Sequence, residues 1–314
     1  MPSATPPSLR KHPQGDAERR HYWIEGQSFP AQALGAGLHV VATPIGNLGD
    51  ITLRALGTLA AADLILAEDT RVSRRLLTHF GISAPLQAYH EHNATEMRPR
   101  VLARLAEGAA VVLISDAGTP LVSDPGYKLV RDAAEEGYRV HPIPGASAVL
   151  AGLVAAALPT DRFFFEGFLP TKSGARRARA EALRAVPGTL VFFETGPRLA
   201  ASLADLAEVL GERPAAVTRE LTKAFEEVRR GTLPELASSY AEAANPPKGE
   251  IVVLVGPPGE EPPPEAEDVD QQLRNALGHL SVKDAAASIA QATGLPRRDL
   301  YRRALELAGA TGER

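Results

Sequence analysis

The stretch LHVVATPIGNLGDITLRAL, residues 38–56, decides the fold class of this chain. Its first residues, 38–43, form a short apolar run that is typical of a strand buried on both faces of a parallel sheet. A loop rich in Pro, Gly and Asn follows, and Asp50 or Thr52 can cap the helical pattern over 52–62. The loop follows a strand end, where open α/β sheets bind ligands, although an ordinary turn explains it equally well.

The alternation of strand and helix continues towards the C-terminus. Apolar runs at 63–68, 109–115 and 138–143 alternate with helical patterns at 70–80, 94–107 and 126–136. A second series has strand-like runs at 162–168, 189–195, 215–221 and 249–256, helical patterns at 172–185 and 199–210, and a turn at Arg230–Gly231. The two series predict two α/β domains, 38–158 and 159–257.

The segments outside these two series differ in composition. Residues 1–37 are rich in Pro, Gly and mixed charge, which predicts a flexible extension. Residues 258–270 are rich in Pro and acids, which predicts an extended linker. The remaining residues, 271–314, predict a small helix-turn-helix-like module, in which Ser281 caps the second helical pattern and Gly294 ends it.

The composition excludes several classes of protein. With 44% hydrophobic and 23% charged residues, a chain of 314 residues is expected to be globular. It has no cysteine, which excludes thiolate catalysis and iron–sulfur clusters and agrees with a cytoplasmic location. No apolar run reaches the roughly 18–20 residues of a membrane span. We therefore expect no membrane partner. The eight histidines are scattered, so we expect no protein-bound metal either.

The formal net charge of −4 hides an uneven distribution. Residues 260–270 hold six acids and no base, so the rest of the chain is net positive and a basic surface is allowed. The densest basic run lies at 172–184, with five bases and one acid. Guanidinium groups suit phosphate, but a solvated helix face explains such a run equally well.

The segment 66–77 carries acids and arginines directly after a predicted strand. Glu68 and Asp69 come before three arginines, and this pattern suits a ribose hydroxyl and a phosphate. An ordinary helix start, with Asp69 or Thr70 as the cap, is the alternative.

Two further segments have compositions that are typical of ligand sites. In 113–130 the acids Asp116 and Asp124 stand among two glycines and two prolines, which predicts that the backbone approaches a ligand closely. In 142–159 a Pro-Gly turn begins a helix of small residues. Small side chains let either a ligand or a sheet approach the helix, and both interpretations stay open.

Six of these motifs, taken in order, resemble one family. They are TPIGNLGDITLRAL (43–56), AEDTR (67–71), SDAGTPLVSDPG (115–126), PGASA (144–148), EGFLP (166–170) and RELTK (219–223). Their order and spacing are similar to those of the tetrapyrrole methylase superfamily and, within it, of the ribosomal RNA small subunit methyltransferase I group. The resemblance implies a two-domain α/β fold of the class III methyltransferases, a small C-terminal helical module and a homodimer.

The resemblance also implies S-adenosyl-L-methionine as the methyl donor, held between the two α/β domains. The residues expected to contact it are Pro44, Ile45, Gly46, Asp116, Gly118, Thr119, Pro120, Val122, Ser147, Ala148, Phe168, Arg219 and Gly249. One departure from the family pattern is visible before Arg198. The family has Ser-Pro-His there, whereas this chain has Thr195-Gly196-Pro197, so no role is assigned to a histidine.

The implied reaction moves a methyl group to the 2′-oxygen of a cytidine in 16S rRNA, as free RNA or in the 30S subunit. A carboxylate that accepts the hydroxyl proton would assist this transfer. Asp69 is the first candidate, and Glu68 and Glu220 are the next. The candidates for RNA contact are Arg71, Lys172, Arg176, Arg177 and Lys223. Two alternatives remain: carbon methylation of a tetrapyrrole such as a precorrin, and a non-catalytic RNA-binding factor in ribosome assembly.

Overall fold

The computed structural model describes residues 20–123, 126–259 and 266–311. Three of the predictions above concern other residues. Residues 1–19 of the extension, Asp124, and residues 260–265 of the linker lie outside the described ranges. The chain divides into two compact units, Met1–Pro257 and Pro258–Arg314.

The first unit contains a two-stranded hairpin and two five-stranded sheets in the part that the structure describes. Its first elements are β1 (His21–Ile24), β2 (Gln27–Pro30), β3 (Gly37–Val41), α1 (Leu53–Ala61), β4 (Leu64–Ala67), α2 (Thr70–His79), β5 (Leu86–Ala88), α3 (Ala94–Ala106), β6 (Ala110–Ile114), α4 (Tyr127–Glu135), β7 (Val140–Ile143) and α5 (Ala148–Ala156). They are followed by β8 (Phe163–Phe168), α6 (Ser173–Leu183), β9 (Thr189–Thr195), α7 (Gly196–Leu210), β10 (Pro214–Arg219), β11 (Glu227–Thr232), α8 (Leu233–Ala241) and β12 (Glu250–Val255).

The first sheet has the strand order β5-β4-β6-β3-β7, and all of its strands are parallel. Every residue of β3, β4 and β6 is buried, because α1 and α2 cover one face while α3 and α4 cover the other. This arrangement explains the continuous apolar sequence of these strands. Since β3 and β6 are neighbours, the loop residues that follow them, 42–52 and 115–123, meet at the carboxyl edge of the sheet.

The second sheet has the strand order β11-β10-β12-β9-β8, in which only β8 and β9 pair in parallel. Helices α6, α7 and α8 pack on one face, and α5 packs on the other through Val149 and Leu153. A Cβ on Gly152 of α5 would lie 3.3 Å from Cγ1 of Val252, so the helix approaches the sheet closely. The small residues of α5 therefore serve helix–sheet packing, one of the two interpretations above.

The predicted flexible extension contains regular structure at residues 21–30. These residues form the antiparallel hairpin β1–β2, whose Tyr22 and Ile24 pack against the core beside α1. Arg20, directly before the hairpin, lies 2.8 Å from Asp63 in an ion pair. Neither strand is fully buried, so neither carries the continuous apolar run by which β4, also four residues long, was predicted.

The predicted turn at Arg230–Gly231 is wrong, because both residues lie inside β11. This strand pairs only with β10 among the described strands and forms an edge of the second sheet. Glu227 and Arg229 form an ion pair (2.6 Å) on its surface. An edge strand tolerates charged side chains that a central strand does not, so its sequence looks like a loop.

The second unit consists of α9 (Ala266–Leu277), α10 (Val282–Thr293) and α11 (Arg297–Thr311), which bury an apolar core of their own. Ser281 caps α10, accepting a hydrogen bond from the Asp284 amide (3.2 Å), and Gly294 ends it with φ +70°, so both predicted caps are confirmed. Helix α9 begins inside the predicted linker, which is therefore wrong beyond residue 265. No helix of either unit, within the described ranges, is long and apolar enough to cross a membrane.

Candidate active site

A cavity of about 410 Å³ lies where the carboxyl edge of the first sheet meets the second sheet. Its wall comes from the loops after β3, β4, β6 and β7 and from the ends of β8, β9 and β12. The lining residues are Ile45, Glu68, Asp116, Ala117, Gly118, Thr119, Val122, Ser123, Ser147, Ala148, Val149, Phe168, Phe193, Glu194, Thr195, Leu221, Gly249, Glu250, Ile251 and Val252. The volume is within the range of about 300–1,000 Å³ that is usual for small-ligand sites.

Two of the loops in this wall are joined through their backbones. The Thr43 amide donates to the Gly118 carbonyl (2.9 Å), and the Gly118 amide donates to the Thr43 carbonyl (3.0 Å). Farther along the second loop, Leu121 and Ser123 have φ values of +75° and +67°. Such strain costs about 1–3 kcal/mol per residue and persists where the surrounding fold fixes a loop, as it often does at ligand sites.

The charges of the cavity fit the sulfonium donor that the family resemblance implies. The charged side chains that line it are the carboxylates of Glu68, Asp116, Glu194 and Glu250, without any described Lys or Arg. A wall of this sign favours a cation and disfavours a polyphosphate. At Gly249, where φ is +98°, an added Cβ would lie 2.3 Å from Oε1 of Glu220, so the close packing there requires glycine.

Glu68 is the carboxylate best suited to accept a proton. It follows β4 and faces the cavity beside Asp116, whose Oδ1 accepts a hydrogen bond from the Asp69 amide (3.0 Å). Burial, and then the neighbouring charge of Asp116, raise the pKa of Glu68 above its ordinary value. A raised pKa makes a carboxylate a stronger base, so the position and the basicity agree.

Asp69, the first candidate from the sequence, has a different environment. It caps α2 by accepting a hydrogen bond from the Arg71 amide (2.8 Å), and its carboxylate also binds the Arg71 guanidinium (2.6 Å). The hydrogen bonds from Arg71 lower the pKa of Asp69 to about 2. A carboxylate with this pKa is a weak base, and Asp69 does not line the cavity, so the geometry favours the helix-cap interpretation.

Glu220, the other candidate carboxylate, belongs to an ion-pair network at the rim. Lys223 Nζ lies 2.8 Å from Oε1 of Glu220 and 2.8 Å from Oε2 of Glu250. The hydrogen bond from Lys223 lowers the pKa of Glu220, so this carboxylate is a weaker base than Glu68. Glu250 faces the cavity, and the network fixes its position at the point where two cavities meet.

A second cavity, of about 480 Å³, adjoins the first. The residues that line both are Ile45, Asp116, Ala117 and Glu250. The remaining lining residues of the second cavity are Thr43, Pro44, Gly46, Leu48, Val72, Arg75, Leu76, His79 and Lys223. A cavity bounded by carboxylates therefore opens into one that has basic side chains in its wall.

The structure corrects the predicted role of Arg176 on the basic helix α6. Its side chain is only 5% exposed, and its Nε donates to Oδ2 of Asp205 (2.7 Å), a residue of α7. Arg177 pairs with Glu208 (2.8 Å), so it is neutralised as well. Arg176 holds two helices together and is not available to RNA, while Lys172 remains exposed at the start of α6.

Most of the predicted donor contacts come together in the structure. Nine line the first cavity: Ile45, Asp116, Gly118, Thr119, Val122, Ser147, Ala148, Phe168 and Gly249. Pro44 and Gly46 line the second cavity, whereas Pro120 and Arg219 line neither. Arg219 instead pairs with Glu227 of β11 (3.0 Å).

The sequence analysis selected Gly249 but neither Thr195, at the end of β9, nor Glu250, at the start of β12. Thr195 and Glu250 are register partners there, and both line the cavity. Behind them, buried Glu194 accepts a hydrogen bond from the Ser202 hydroxyl (2.5 Å) and pairs with Arg198 (3.2 Å). Next in the chain, a Cβ on Gly196 would lie 1.6 Å from the Pro247 carbonyl oxygen, which explains the glycine at this departure from the family pattern.

Comparison with known proteins shows the family of this chain. Residues 37–237 match the family described as Tetrapyrrole (Corrin/Porphyrin) Methylases, and residues 263–308 match the RsmI C-terminal HTH domain. The ribosomal RNA small subunit methyltransferase I of Mesorhizobium japonicum is 57% identical over 91% of this chain and 97% of its own length. The protein of the same name from Pseudomonas aeruginosa is 50% identical over 87% of this chain and 98% of its own length.

Solved structures support the fold at lower identity. A diphthine synthase has a TM-score of 0.55 and 18% identity, covering 70% of this chain and 89% of its own. The cobalt precorrin-4 methyltransferase CbiF has a TM-score of 0.52 and 20% identity, covering 70% of this chain and 94% of its own. This chain belongs to the tetrapyrrole methylase family, in its ribosomal RNA small subunit methyltransferase I group, and is an S-adenosylmethionine-dependent methyltransferase.

Proposed function

We propose that this protein methylates ribosomal RNA of the small subunit at the 2′-oxygen of a cytidine, which the family resemblance suggests is cytidine 1402 of 16S rRNA. One observation carries the proposal: beside a cavity lined by carboxylates lies a second cavity whose wall holds Arg75, which has no ion-pair partner among the described residues, together with His79 and the ion-paired Lys223. The first suits a cationic methyl donor, and the second suits a polyanionic acceptor. The names of the relatives support the choice of ribosomal RNA as the acceptor.

The residues of the first cavity have distinct tasks in this reaction. S-Adenosylmethionine, when bound, supplies an electrophilic methyl group. The loop at Gly118 and the chain at Gly249 form its walls, and the Ser147 hydroxyl caps α5, where it fixes the start of that helix in the wall. Holding donor and acceptor in line can lower the barrier by up to about 7–11 kcal/mol, so positioning is the main contribution of the protein.

Glu68 moves the proton in this proposal. When the ribose 2′-oxygen displaces the donor's sulfur from the methyl carbon, with S-adenosylhomocysteine as the leaving group, the Glu68 carboxylate would accept the hydroxyl proton and pass it to solvent. The raised pKa of Glu68 brings its basicity closer to that required near neutral pH. Asp69, the first candidate from the sequence, fixes the start of α2 and thereby the position of Glu68 next to it.

Methyl transfer from labelled S-adenosylmethionine tests the proposal directly. Free 16S rRNA, 30S subunits and a precorrin are offered as acceptors, and the modified nucleoside is mapped by mass spectrometry. We expect label on one 2′-O-methylcytidine of the rRNA and none on the precorrin. Label on the tetrapyrrole would support the carbon methyltransferase instead. Donor binding without turnover on any ribosomal substrate would support a non-catalytic assembly factor.

We further propose that the enzyme acts as a homodimer in the cytoplasm. Leu150 and Val154 are four residues apart on α5, and their side chains are 55% and 83% exposed. Two large apolar residues on one exposed helix face suit a second copy of the chain. Val154→Glu should produce a monomer in light scattering, whereas a wild-type protein that is already monomeric at micromolar concentration would refute the dimer.

A further inference from the structure

Helix α2 presents a basic face beside the second cavity. Its residues Arg71, Arg74, Arg75, Thr78 and His79 line a shallow depression of about 550 Å³ on the protein surface. Their spacing of three or four residues places them along one side of the helix. All five are exposed, so the helix offers a continuous basic and hydroxyl-bearing surface to a partner.

This surface is continuous with the proposed active site. Arg75 and His79 line both the depression and the second cavity, and the second cavity shares Asp116 with the first. At the N-terminal end of α2, Glu68 comes directly before Asp69, which caps the helix. A chain of phosphates that follows α2 would therefore pass the proposed proton acceptor.

Helix α2 differs from the basic run at 172–184 in the ion pairing of its arginines. On α6, the guanidinium groups of Arg176, Arg177, Arg179 and Arg184 each lie within 3 Å of a carboxylate. On α2, Arg74 and Arg75 have no carboxylate within 4.0 Å among the residues that the structure describes. A guanidinium without an internal partner can neutralise a phosphate without first breaking an ion pair.

The second cavity also has an apolar part that suits a nucleobase. Leu48 and Val72 are both exposed, and both line the cavity together with Arg75. A single unpaired nucleotide needs an apolar surface for its base and a cation for its phosphate. The combination favours a single-stranded segment of RNA over a duplex.

We propose that α2, and not α6, binds the RNA phosphates next to the methylated ribose, through Arg74 and Arg75. This inference rests on the proposed ribosomal RNA substrate. Each phosphate contact contributes a slope of about 0.7 to the dependence of log affinity on log salt for single strands. Loss of two contacts should lower the slope by about 1.4, so between 50 and 200 mM salt the wild-type affinity should fall about sevenfold more than that of the variant.

The test compares three double variants that each remove two exposed arginines. Arg74→Ala with Arg75→Ala removes the proposed contacts. Arg100→Ala with Arg104→Ala, on α3, is the control matched for charge, since these arginines pair with Glu96 and Glu107. Affinity for a 16S rRNA fragment is measured across the salt range, and binding of S-adenosylhomocysteine is measured by calorimetry.

We expect the α2 variant alone to lose RNA affinity and salt dependence, to raise KM for the RNA and to keep its affinity for S-adenosylhomocysteine. The third variant, Arg177→Ala with Arg184→Ala on α6, decides between the two helices. A larger loss in the α6 variant, or equal small losses in all three, would overturn the assignment while the wild-type enzyme still methylates rRNA. A wild-type protein that neither binds nor methylates rRNA would overturn the proposed function and this inference together.

Discussion

Replacing Asp205 by alanine tests whether the basic helix α6 has a structural role or binds RNA. In the folded protein the carboxylate of Asp205 accepts hydrogen bonds from Nε of Arg176 (2.7 Å) and from the Ser173 hydroxyl (2.9 Å). The side chains of Arg176 and Asp205 are 5% and 11% exposed. The substitution leaves a buried guanidinium without its counter-charge, so we expect a large loss of stability and an indirect effect on RNA at most.

The size of the loss follows from burial. Removing one partner of a buried ion pair costs about 3–5 kcal/mol, mostly because the other charge stays buried and unpaired. In a unit of this size each kcal/mol changes the melting temperature by about 2–4 °C. We therefore expect the midpoint of Asp205→Ala to fall by about 6–20 °C. The exposed pair of Arg177 and Glu208 should contribute no more than about 1 kcal/mol, so Glu208→Ala, which leaves Asp205 and its partners in place, is the matched control.

Scanning calorimetry of the wild type and the two single variants measures the loss of stability. A double variant then distinguishes a structural role of the pair from a role in RNA binding. Arg176→Met combined with Asp205→Leu removes both charges, and apolar replacement of a buried pair is often neutral. We expect this variant to recover most of the lost stability and to bind 16S rRNA as the wild type does. A melting midpoint of Asp205→Ala within about 1 °C of the wild type, or a double variant that is stable but binds RNA weakly, would refute the structural role.

Three further changes test the cavity itself. Glu68→Gln should lower kcat by about 10²–10⁴-fold while donor affinity is kept. The folded protein raises the pKa of Glu68, so the ionised carboxylate lowers the stability of the fold above that pKa. The variant should therefore melt at a higher temperature than the wild type at pH 7 and at the same temperature at pH 4. An unchanged kcat would exclude Glu68 as the base. Ala148→Phe places a ring in the cavity wall and should abolish calorimetric binding of S-adenosylhomocysteine; retained binding would move the donor site elsewhere. Gly249→Ala should weaken the same binding, whereas Gly211→Ala, at a similar positive φ with no atom near its Cβ, should not; equal effects would mean that backbone strain alone is responsible.

The central strands and the loops that follow them could be predicted from the sequence because local signals agree there. Runs such as AVVLI, which forms β6, are apolar throughout since both faces of the strand are covered. Helix α8 was missed although its signal was present: Thr232 and Glu235 form a capping box, and a proline follows the cap. Strand β5 has three residues and is half-buried, so it carries no detectable period.

In the second half of the cavity only Phe168 and Gly249 could be predicted, from the family resemblance, because Thr195 and Glu250 meet through antiparallel register. Thr195 ends β9 and Glu250 begins β12, and they face each other only because the two strands run in opposite directions. More than fifty residues separate them in the chain, and no local pattern specifies that pairing. The half of the cavity that the parallel sheet forms could be predicted for the opposite reason. In a parallel sheet all carboxyl ends share one edge, so the loops after successive strands already indicate a common site.

The two basic helices show why counting charges along the sequence overstates the cationic character of α6. The carboxylates that neutralise Arg176 and Arg177 come from α7, some thirty residues away, so the sequence of α6 alone looks strongly cationic. Helix α2 holds three arginines, as many as α6, yet Arg74 and Arg75 keep their charge available among the described residues. At 1.5 Å per residue, Arg75 lies about 8 Å along the helix from its start next to Glu68. In the proposed mode of binding, one rigid helix sets the distance between a phosphate and the ribose hydroxyl, so the helix that binds the strand would also align the reacting oxygen.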